Sequence, residues 1–169
     1  MIAAHGPALP TYFGNVLNTF SWRNISLSAN ITYRLGYYFR RNTIAYNTLF
    51  ASGAGHSDYV QRWQQPGDEK YTNVPSLVYP NPAYRDQFYT NSSITVEKGD
   101  HVRWEDVRLS YTLKKGMNSR TLFSQLQFYT YITNLNILIW KANKAGLDPD
   151  FPSGLRTPRA FAFGIKADL

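Results

Sequence analysis

Apolar and polar residues alternate strictly along the last segment of the chain. Phe161, Phe163 and Ile165 fall on one face of a period-two pattern, and the residues between them are small or charged. Alternation of this kind is typical of a β-strand with one apolar and one polar face. The pattern continues for about the ten residues that a tilted strand needs to cross a bilayer. We therefore predict that residues 158–169 form the closing strand of a membrane barrel.

Four earlier segments show the same period. The cleanest begins at Ile25, where seven apolar residues alternate with polar ones and leave no helical spacing of three and four. In chain order, the predicted strands are residues 14–22, 25–37, 101–113, 124–133 and 158–169.

The predicted connections are alternately short and long. Residues 23–24 and 114–119 form short turns, whereas residues 38–99 and 134–157 form long loops rich in Gly and Pro. Transmembrane barrels have short turns on one side and long loops on the other. The sequence thus predicts an all-β fold of antiparallel up-and-down strands, forming the C-terminal part of a transmembrane β-barrel with two long extracellular loops.

The composition agrees with this prediction and excludes several classes of site and partner. Aromatic residues make up 16% of the chain, and Tyr and Trp suit the bilayer interface. The chain has no cysteine, which excludes disulfides and thiolate metal sites. Although the net charge is +7, the 18 Lys and Arg are scattered, so we expect no nucleic-acid partner. The first residues do not form a signal peptide.

Candidate chemistry is sparse. The three histidines, His5, His56 and His101, have no metal-ligand spacing and are interpreted as isolated surface residues. The sequence from Asp148 to Asp150 offers an incomplete calcium ligand set and is interpreted as a turn. Adjacent carboxylates at Glu105 and its neighbour are expected on opposite faces of a strand, which prevents paired acid–base work. We predict no enzyme activity, no metal and no cofactor.

The first long loop carries many aromatic residues that either pack the loop or stack on a ligand. Among them, Tyr59, Trp63 and Tyr84 are the candidate ligand contacts. This hypothesis depends on composition alone.

Four motifs in order resemble the C-terminal part of SusC/RagA-like TonB-linked outer-membrane transporters (TonB-dependent receptors). They are P-T-Y-F-G-N-V-L-N-T-F-S-W from Pro10, W-E-D-V-R-L-S-Y-T-L from Trp104, T-N-L from Thr133 with G-L-D-P-D from Gly146, and P-R-A-F-A-F-G-I-K-A-D-L from Pro158. The family's usual second Gly in the first motif is Asn15 here. The last residue is Leu169, where the family favours an aromatic.

The resemblance implies structural roles for several positions. The family-motif residues are Asn134, Gly146, Asp148, Pro149, Pro158 and Gly164. The terminal signal for the barrel-assembly machinery would comprise Phe161, Phe163, Ile165 and Leu169.

The resemblance also implies import of nutrients such as glycans or peptides across the bacterial cell outer membrane. The implied partners are a SusD-like surface lipoprotein, outer-membrane lipid and the TonB complex, which acts through a plug domain. We expect the plug domain and signal peptide to be absent from these 169 residues, so that the chain is a fragment of a transporter. Polar residues such as Ser26, Asn30, Thr32, Arg34, Arg108 and Lys166 would face the lumen.

An alternative function remains open at this point. A soluble, secreted β-sandwich that acts as a carbohydrate-binding module would also have short alternating strands and exposed aromatic residues.

Overall fold

The fold is described from a computed structural model, which describes residues 3–82, 84–116 and 122–169. Long strands form where the alternation predicts them, because a period of two places all apolar side chains on one face. The elements are β1 Tyr12–Trp22, β2 Ile25–Leu35, β3 Tyr38–Arg40, α1 Tyr46–Ser52, α2 Arg85–Thr90, β4 Val96–Lys98, β5 His101–Lys114, β6 Gln125–Thr133, β7 Ile137–Lys141 and β8 Ala160–Asp168.

Five long strands form one sheet in the order β1-β2-β5-β6-β8, and every pairing is antiparallel. Consecutive long strands are therefore neighbours, as expected for up-and-down connections. β7 pairs with the first half of β5, while β6 pairs with its second half. The prediction of an all-β antiparallel fold is confirmed.

The pairing register separates the sheet into two faces. The apolar face comprises Val16, Phe20, Trp22, Ile25, Leu27, Ile31, Val107, Leu109, Tyr111, Phe128, Ile132, Phe161, Phe163 and Ile165. The other, mainly polar face comprises Phe13, Asn15, Leu17, Thr19, Ser21, Ser26, Ser28, Asn30, Thr32, Arg34, His101, Arg103, Asp106, Arg108, Ser110, Gln127, Tyr129, Tyr131, Ala162, Gly164 and Lys166, and we call it the polar face.

The apolar face is open. Phe20 is 67% exposed and Phe163 is 77% exposed on the two outer strands, while Leu27 and Phe128 on the inner strands are about 40% exposed. Side chains on the polar face form hydrogen bonds between neighbouring strands. Asn15 donates to Asn30 over 3.2 Å, and Asn30 donates to Asp106 over 3.1 Å. Most of the large apolar side chains of the sheet therefore lie on one surface, and most of its hydrogen-bonding side chains lie on the other. The exceptions on β1 are Phe13 and Leu17, which pair with Arg34 and Asn30 on the polar face and are 73% and 65% exposed.

Two local features set the strand ends and spacing. The β1–β2 hairpin turns at the predicted residues 23–24, where Arg23 has a φ of 52°, in the left-handed region. On β8, Gly164 lies under the ring of Tyr129, and a Cβ at that position would overlap the ring. Glycine therefore allows the aromatic side chain to lie flat across the neighbouring strand.

The predicted loop at residues 134–157 was wrong in its first part, because residues 137–141 form β7. Asn134 and Asn136 have φ of 55° and 54°, and these two residues interrupt the strand after β6. The chain then continues beside β5 as β7. The break lies opposite Glu105, whose carbonyl accepts a 2.9 Å bond from the Leu135 amide. The apolar run of β7 lacks alternation, so no period-two signal marked it.

The first loop, residues 36–100, is more ordered than its sequence predicted. It contains α1, α2, three short 3-10 turns and the small β3–β4 sheet. Ile44, Tyr46, Val74 and Tyr89 are buried together as a hydrophobic core of this loop. The apolar residues follow no single period, because short elements contribute one or two each.

Smaller corrections concern boundaries. β2 ends at Leu35 and not at residue 37, since Gly36 has a φ of 76° and leaves the strand. Residues 117–119 of the predicted short turn lie outside the described residues. None of the helices in the described ranges is long and apolar enough to cross a membrane.

Candidate functional site

Charged side chains converge at the loop end of the polar face. This charge cluster comprises Arg34, His101, Arg103, Asp148 and Asp150. Asp150 is 2.6 Å from Arg34, 3.1 Å from His101 and 3.2 Å from Arg103. Asp148 pairs with Arg103. Arg103, His101 and Asp148 are each at least 95% buried, so the cluster is largely removed from water.

A β-bulge in β5 makes this cluster possible. Asn30 pairs with Asp106, but the next residue, Ile31, pairs with Trp104, so Glu105 is the extra residue. A bulge reverses the phase of a strand's side chains. The reversal turns Arg103 toward the polar face, where strict alternation from Val107 would have placed it on the apolar face.

The same bulge overturns one expectation. Glu105 and Asp106 were expected on opposite faces, yet both lie on the polar side. Glu105 is 4.0 Å from Arg103 and lines a hollow beside Arg34, and Asp106 accepts from Asn30. Because no sequence rule marks a bulge here, alternation alone could not locate it.

His101 corrects the expectation of isolated surface histidines, since it is 1% exposed. Its Nδ1 lies 2.8 Å from the Gly99 carbonyl and its Nε2 lies 3.1 Å from the Asp150 carboxylate. The Tyr37 hydroxyl also lies 3.3 Å from Nδ1, so the ring has polar partners at both nitrogens. His56 also has a partner, Asp58, within the first loop.

The electrostatics of the cluster hold Asp150 ionised. Burial by itself raises the pKa of its carboxyl group, but the hydrogen bond and charge of His101, with the charges of Arg34 and Arg103, outweigh burial and lower it. Burial also raises the pKa of Tyr37 to about 12, assisted by the charge of Asp150. The Tyr37 phenol therefore stays neutral beside the cluster.

The arrangement suits a structural ion-pair network better than a metal site. The guanidinium of Arg103 contacts both Asp148 and Asp150, and so occupies the position between the carboxylates that a cation would take. Among the described residues, no group of three or more His, Asp or Glu side chains could hold a metal ion. The predicted turn is present, with the Phe151 amide bonded to the Asp148 carbonyl over 3.0 Å.

Three other residues that the resemblance singled out, Asn134, Gly146 and Pro158, make contacts within the second loop and at its ends. Asn134 donates to the Pro158 carbonyl over 3.2 Å, and the Gly146 carbonyl accepts from Lys141. Pro149 is buried between the two aspartates. These contacts hold the second loop, residues 142–159, against the break between β6 and β7.

The three candidate ligand aromatics have different surroundings. Tyr59 packs against the core of the first loop and is covered by the guanidinium of Arg62 at 4.2 Å. The indole of Trp63 donates to the Gln65 carbonyl, and Trp63 is 40% exposed. Tyr84 is 77% exposed at the start of α2. Of the three, Tyr84 has the side chain most open to a ligand.

The terminal residues lie at the edge of the sheet. Phe161, Phe163 and Ile165 form the outermost row of the apolar face, on β8. Leu169 follows the strand and is exposed, although its carbonyl accepts from the Ser124 hydroxyl over 3.3 Å.

A second polar hollow, of about 690 Å³, lies on the polar face away from the charge cluster. Arg108 stacks 4.9 Å from the ring of Tyr129 there, beside Asp106, Gln127 and Lys166. These groups offer hydrogen bonds and charges of both signs to whatever contacts this surface.

Comparison with known proteins supports the fold. No protein-family model and no curated protein matches the chain. The chain is similar to the RagAB peptide importer in its open-open state, with a TM-score of 0.61 and 20% identity over 96% of this chain. The RagAB peptide transporter and the closed-closed state of the importer also give TM-scores of 0.61, with 21% and 19% identity over 95% of this chain.

The chain spans 17% of the length of each matched RagAB chain. At these identities the similarity establishes the architecture and not the activity. The chain therefore has the fold of one segment of a RagAB transporter chain.

Proposed function

We propose that this chain is the C-terminal part of the β-barrel of a SusC/RagA-like, TonB-dependent transporter in the bacterial outer membrane. The observation that carries the proposal is the open apolar face of a sheet whose other face is polar and internally bonded. In water such a face is costly, at about 25 cal/mol per Å² of apolar surface, whereas hydrocarbon removes this cost. The RagAB fold similarity supports the same environment.

In the proposed transporter the polar face lines the solute path and the two loops lie on the extracellular side. The substrate would be a nutrient such as a glycan or a peptide, taken up with a SusD-like lipoprotein. The TonB complex would act through a plug domain, and the barrel-assembly machinery would recognise the terminal residues. A role of Tyr84 in ligand contact belongs to this proposal. No catalytic step is included.

The carbohydrate-binding β-sandwich is less well supported. A sandwich buries the inner faces of two sheets against each other. Here Trp22, Phe20 and Phe163 are each at least 67% exposed, and the other sheet among the described residues has only two strands of three residues.

Lysine substitutions on the two faces of β8 test the proposal. We expect Phe163→Lys to destabilise the inserted form by about 2–4 kcal/mol, because the ammonium group would enter hydrocarbon near the bilayer midplane. Its matched control is Ala162→Lys, one residue away on the polar face. The measurement is the amount of each variant in the outer-membrane fraction of cells that express the encoded protein.

The proposal predicts that Phe163→Lys is depleted from this fraction while Ala162→Lys is not. Equal amounts of both variants in the outer-membrane fraction would contradict the proposal. Recovery of the unsubstituted protein in the soluble fraction would also contradict it.

A further inference from the structure

Four residues of the second loop, Asp148 to Phe151, lie across the polar face and not beyond the end of the sheet. We name this segment the strap. Its carboxylates contact Arg34 on β2 and Arg103 on β5, and both of these side chains belong to the polar face. The ring of Phe151 lies 5.5 Å from the Arg103 guanidinium. The chain therefore turns inward over the surface that carries the polar side chains.

A small hollow of about 300 Å³ separates the strap from the sheet. Thr32 and Glu105 line it on the sheet side, while Asp150 and Phe151 line it on the strap side. Thr32 lines the hollow that the strap borders, while Ser28, four residues earlier on the same strand and face, lines the other hollow of this face. Both residues are partly buried in this structure.

The strap is held both internally and externally. Internally, the Asp150 amide donates to the Asp148 carboxylate over 3.2 Å, and the Phe151 amide donates to the Asp148 carbonyl. Externally, the buried ion pairs with Arg103 and His101 fix both carboxylates. Removing one partner of a buried pair leaves an uncompensated charge, so such a contact opens rarely.

We propose that the strap is a fixed constriction of the solute path, locked across the wall by the charge cluster. The locking follows from contacts within this chain; only its role as a constriction rests on the proposed function, which makes the polar face the wall of the path. Arg34 contacts Asp150, and Arg156 lies 3.5 Å from Asp148; both of these arginine side chains are half-exposed, unlike that of Arg103.

Cysteine accessibility tests the lock, since the chain has no cysteine of its own. Single variants Thr32→Cys and Ser28→Cys in the full encoded protein, with any other cysteines replaced, are treated with a membrane-impermeant thiol reagent. We expect slow modification at position 32. Adding Asp150→Asn should raise that rate by about tenfold or more, because loss of a buried charge pair shifts the opening equilibrium by at least that factor. The rate at position 28 should not change.

The matched control is Asp168→Asn, which makes the same change at a half-exposed carboxylate on β8 that pairs with Lys166. It should leave the rate at position 32 unchanged. If Asp150→Asn prevents accumulation of the protein, Arg34→Gln removes a lock contact from a half-exposed position and serves as the second variant. A rate at position 32 that equals the rate at position 28 and is unaffected by Asp150→Asn and Arg34→Gln would overturn the lock.

The same preparation separates the two proposals. If the protein is absent from the outer membrane, the proposed function fails while the thiol rates still report on the strap. If the protein is in the outer membrane but Thr32→Cys reacts freely without any substitution in the strap, the proposed constriction is contradicted while the proposed function stands.

Discussion

In the first loop, Ile44, Tyr46 and Val74 are buried against one another, whereas Phe20 and Phe163 of the sheet are more than two-thirds exposed. Both regions belong to one chain, and both contain many aromatic residues. The loop buries a small apolar core of its own, although other apolar side chains of the loop, such as Val60 and Phe88, are 77% and 81% exposed. The sheet shows the reverse arrangement on its apolar face, which is the pattern expected where lipid replaces water. Under the proposed function, the difference means that the loop core forms in water whereas the apolar face of the sheet meets lipid.

The largest effects we expect come from breaking the core of the first loop and, with a similar cost, from unpairing the buried carboxylates of the charge cluster. Tyr46→Ala should destabilise this loop by about 3–5 kcal/mol, because it removes a buried ring and a hydroxyl bond to the Pro75 carbonyl. Hydrogen exchange should rise across the first loop but not in β5 or β6. Tyr71→Ala, at an 89% exposed residue of the same loop, is the control and should change little. Equal exchange in both variants would show that the loop has no core of its own.

Next in size is the packing of Tyr129 on Gly164 within the sheet. Gly164→Ala should destabilise the sheet by about 1–3 kcal/mol, because the added methyl group overlaps the ring. Thermal denaturation of the folded protein in detergent measures this change. Gly55→Ala, where an added Cβ meets only Leu49 at 3.8 Å, is the control. A second change, Tyr129→Ala, should reduce the cost of Gly164→Ala; strictly additive effects would contradict direct packing.

Strong acid should increase the mobility of the second loop, because it protonates the carboxylate of Asp150. The folded-state pKa of Asp150 is lowered from its ordinary value of 3.8, so its contribution to stability is present above that value and is lost as pH falls through the lowered pKa. A spin label at position 153 reports the mobility of the second loop. Because Asp150 stays ionised there, its contribution predicts constant mobility from about pH 7 to 5 and higher mobility only in stronger acid.

Asp150→Asn removes the titrating group, so in that variant the label should lose the acid-dependent step that Asp150 contributes. An unchanged acid step in Asp150→Asn would assign it to another group.

The smallest effect belongs to the ion pair between Lys166 and Asp168, whose side chains are 62% and 43% exposed. Asp168→Asn should change the free energy of unfolding by no more than about 1 kcal/mol, because water screens exposed pairs. Arg103→Gln should cost about 3–5 kcal/mol, because it leaves buried carboxylates unpaired. Denaturant titration of both variants compares them, and similar costs would mean that burial does not strengthen the charge cluster.

Alternation predicted the five long strands to within a few residues, because a face that meets one solvent along its whole length leaves a regular signal. The charge cluster was not predictable in the same way. Its residues come from β2, β5 and the second loop, and the bulge at Glu105 that turns Arg103 inward has no sequence signature. His101 was misassigned for the same reason, since its burial is supplied by a segment about fifty residues away.

The first loop was the other failure of sequence reasoning. Its core takes Tyr46 from α1, Val74 from an irregular segment and Tyr89 from α2, so no window of sequence contains the pattern. The motif residues Asp148 and Pro149 were assigned a turn, which is present, but the sequence could not show that the turn carries both carboxylates to Arg103. The core of the first loop and the placement of this turn both depend on contacts between residues far apart in sequence, which local patterns do not show.

The most direct test of the central claim places a nitroxide label at position 163 and, separately, at position 162 of the encoded protein in lipid bilayers. Collisions with oxygen report lipid, whereas collisions with a water-soluble nickel complex report water. We expect the label at position 163 to collide with oxygen and exclude the nickel complex, and the label at position 162, on the opposite face, to show the reverse. Free access of the nickel complex to both positions would contradict the claim that the apolar face meets lipid.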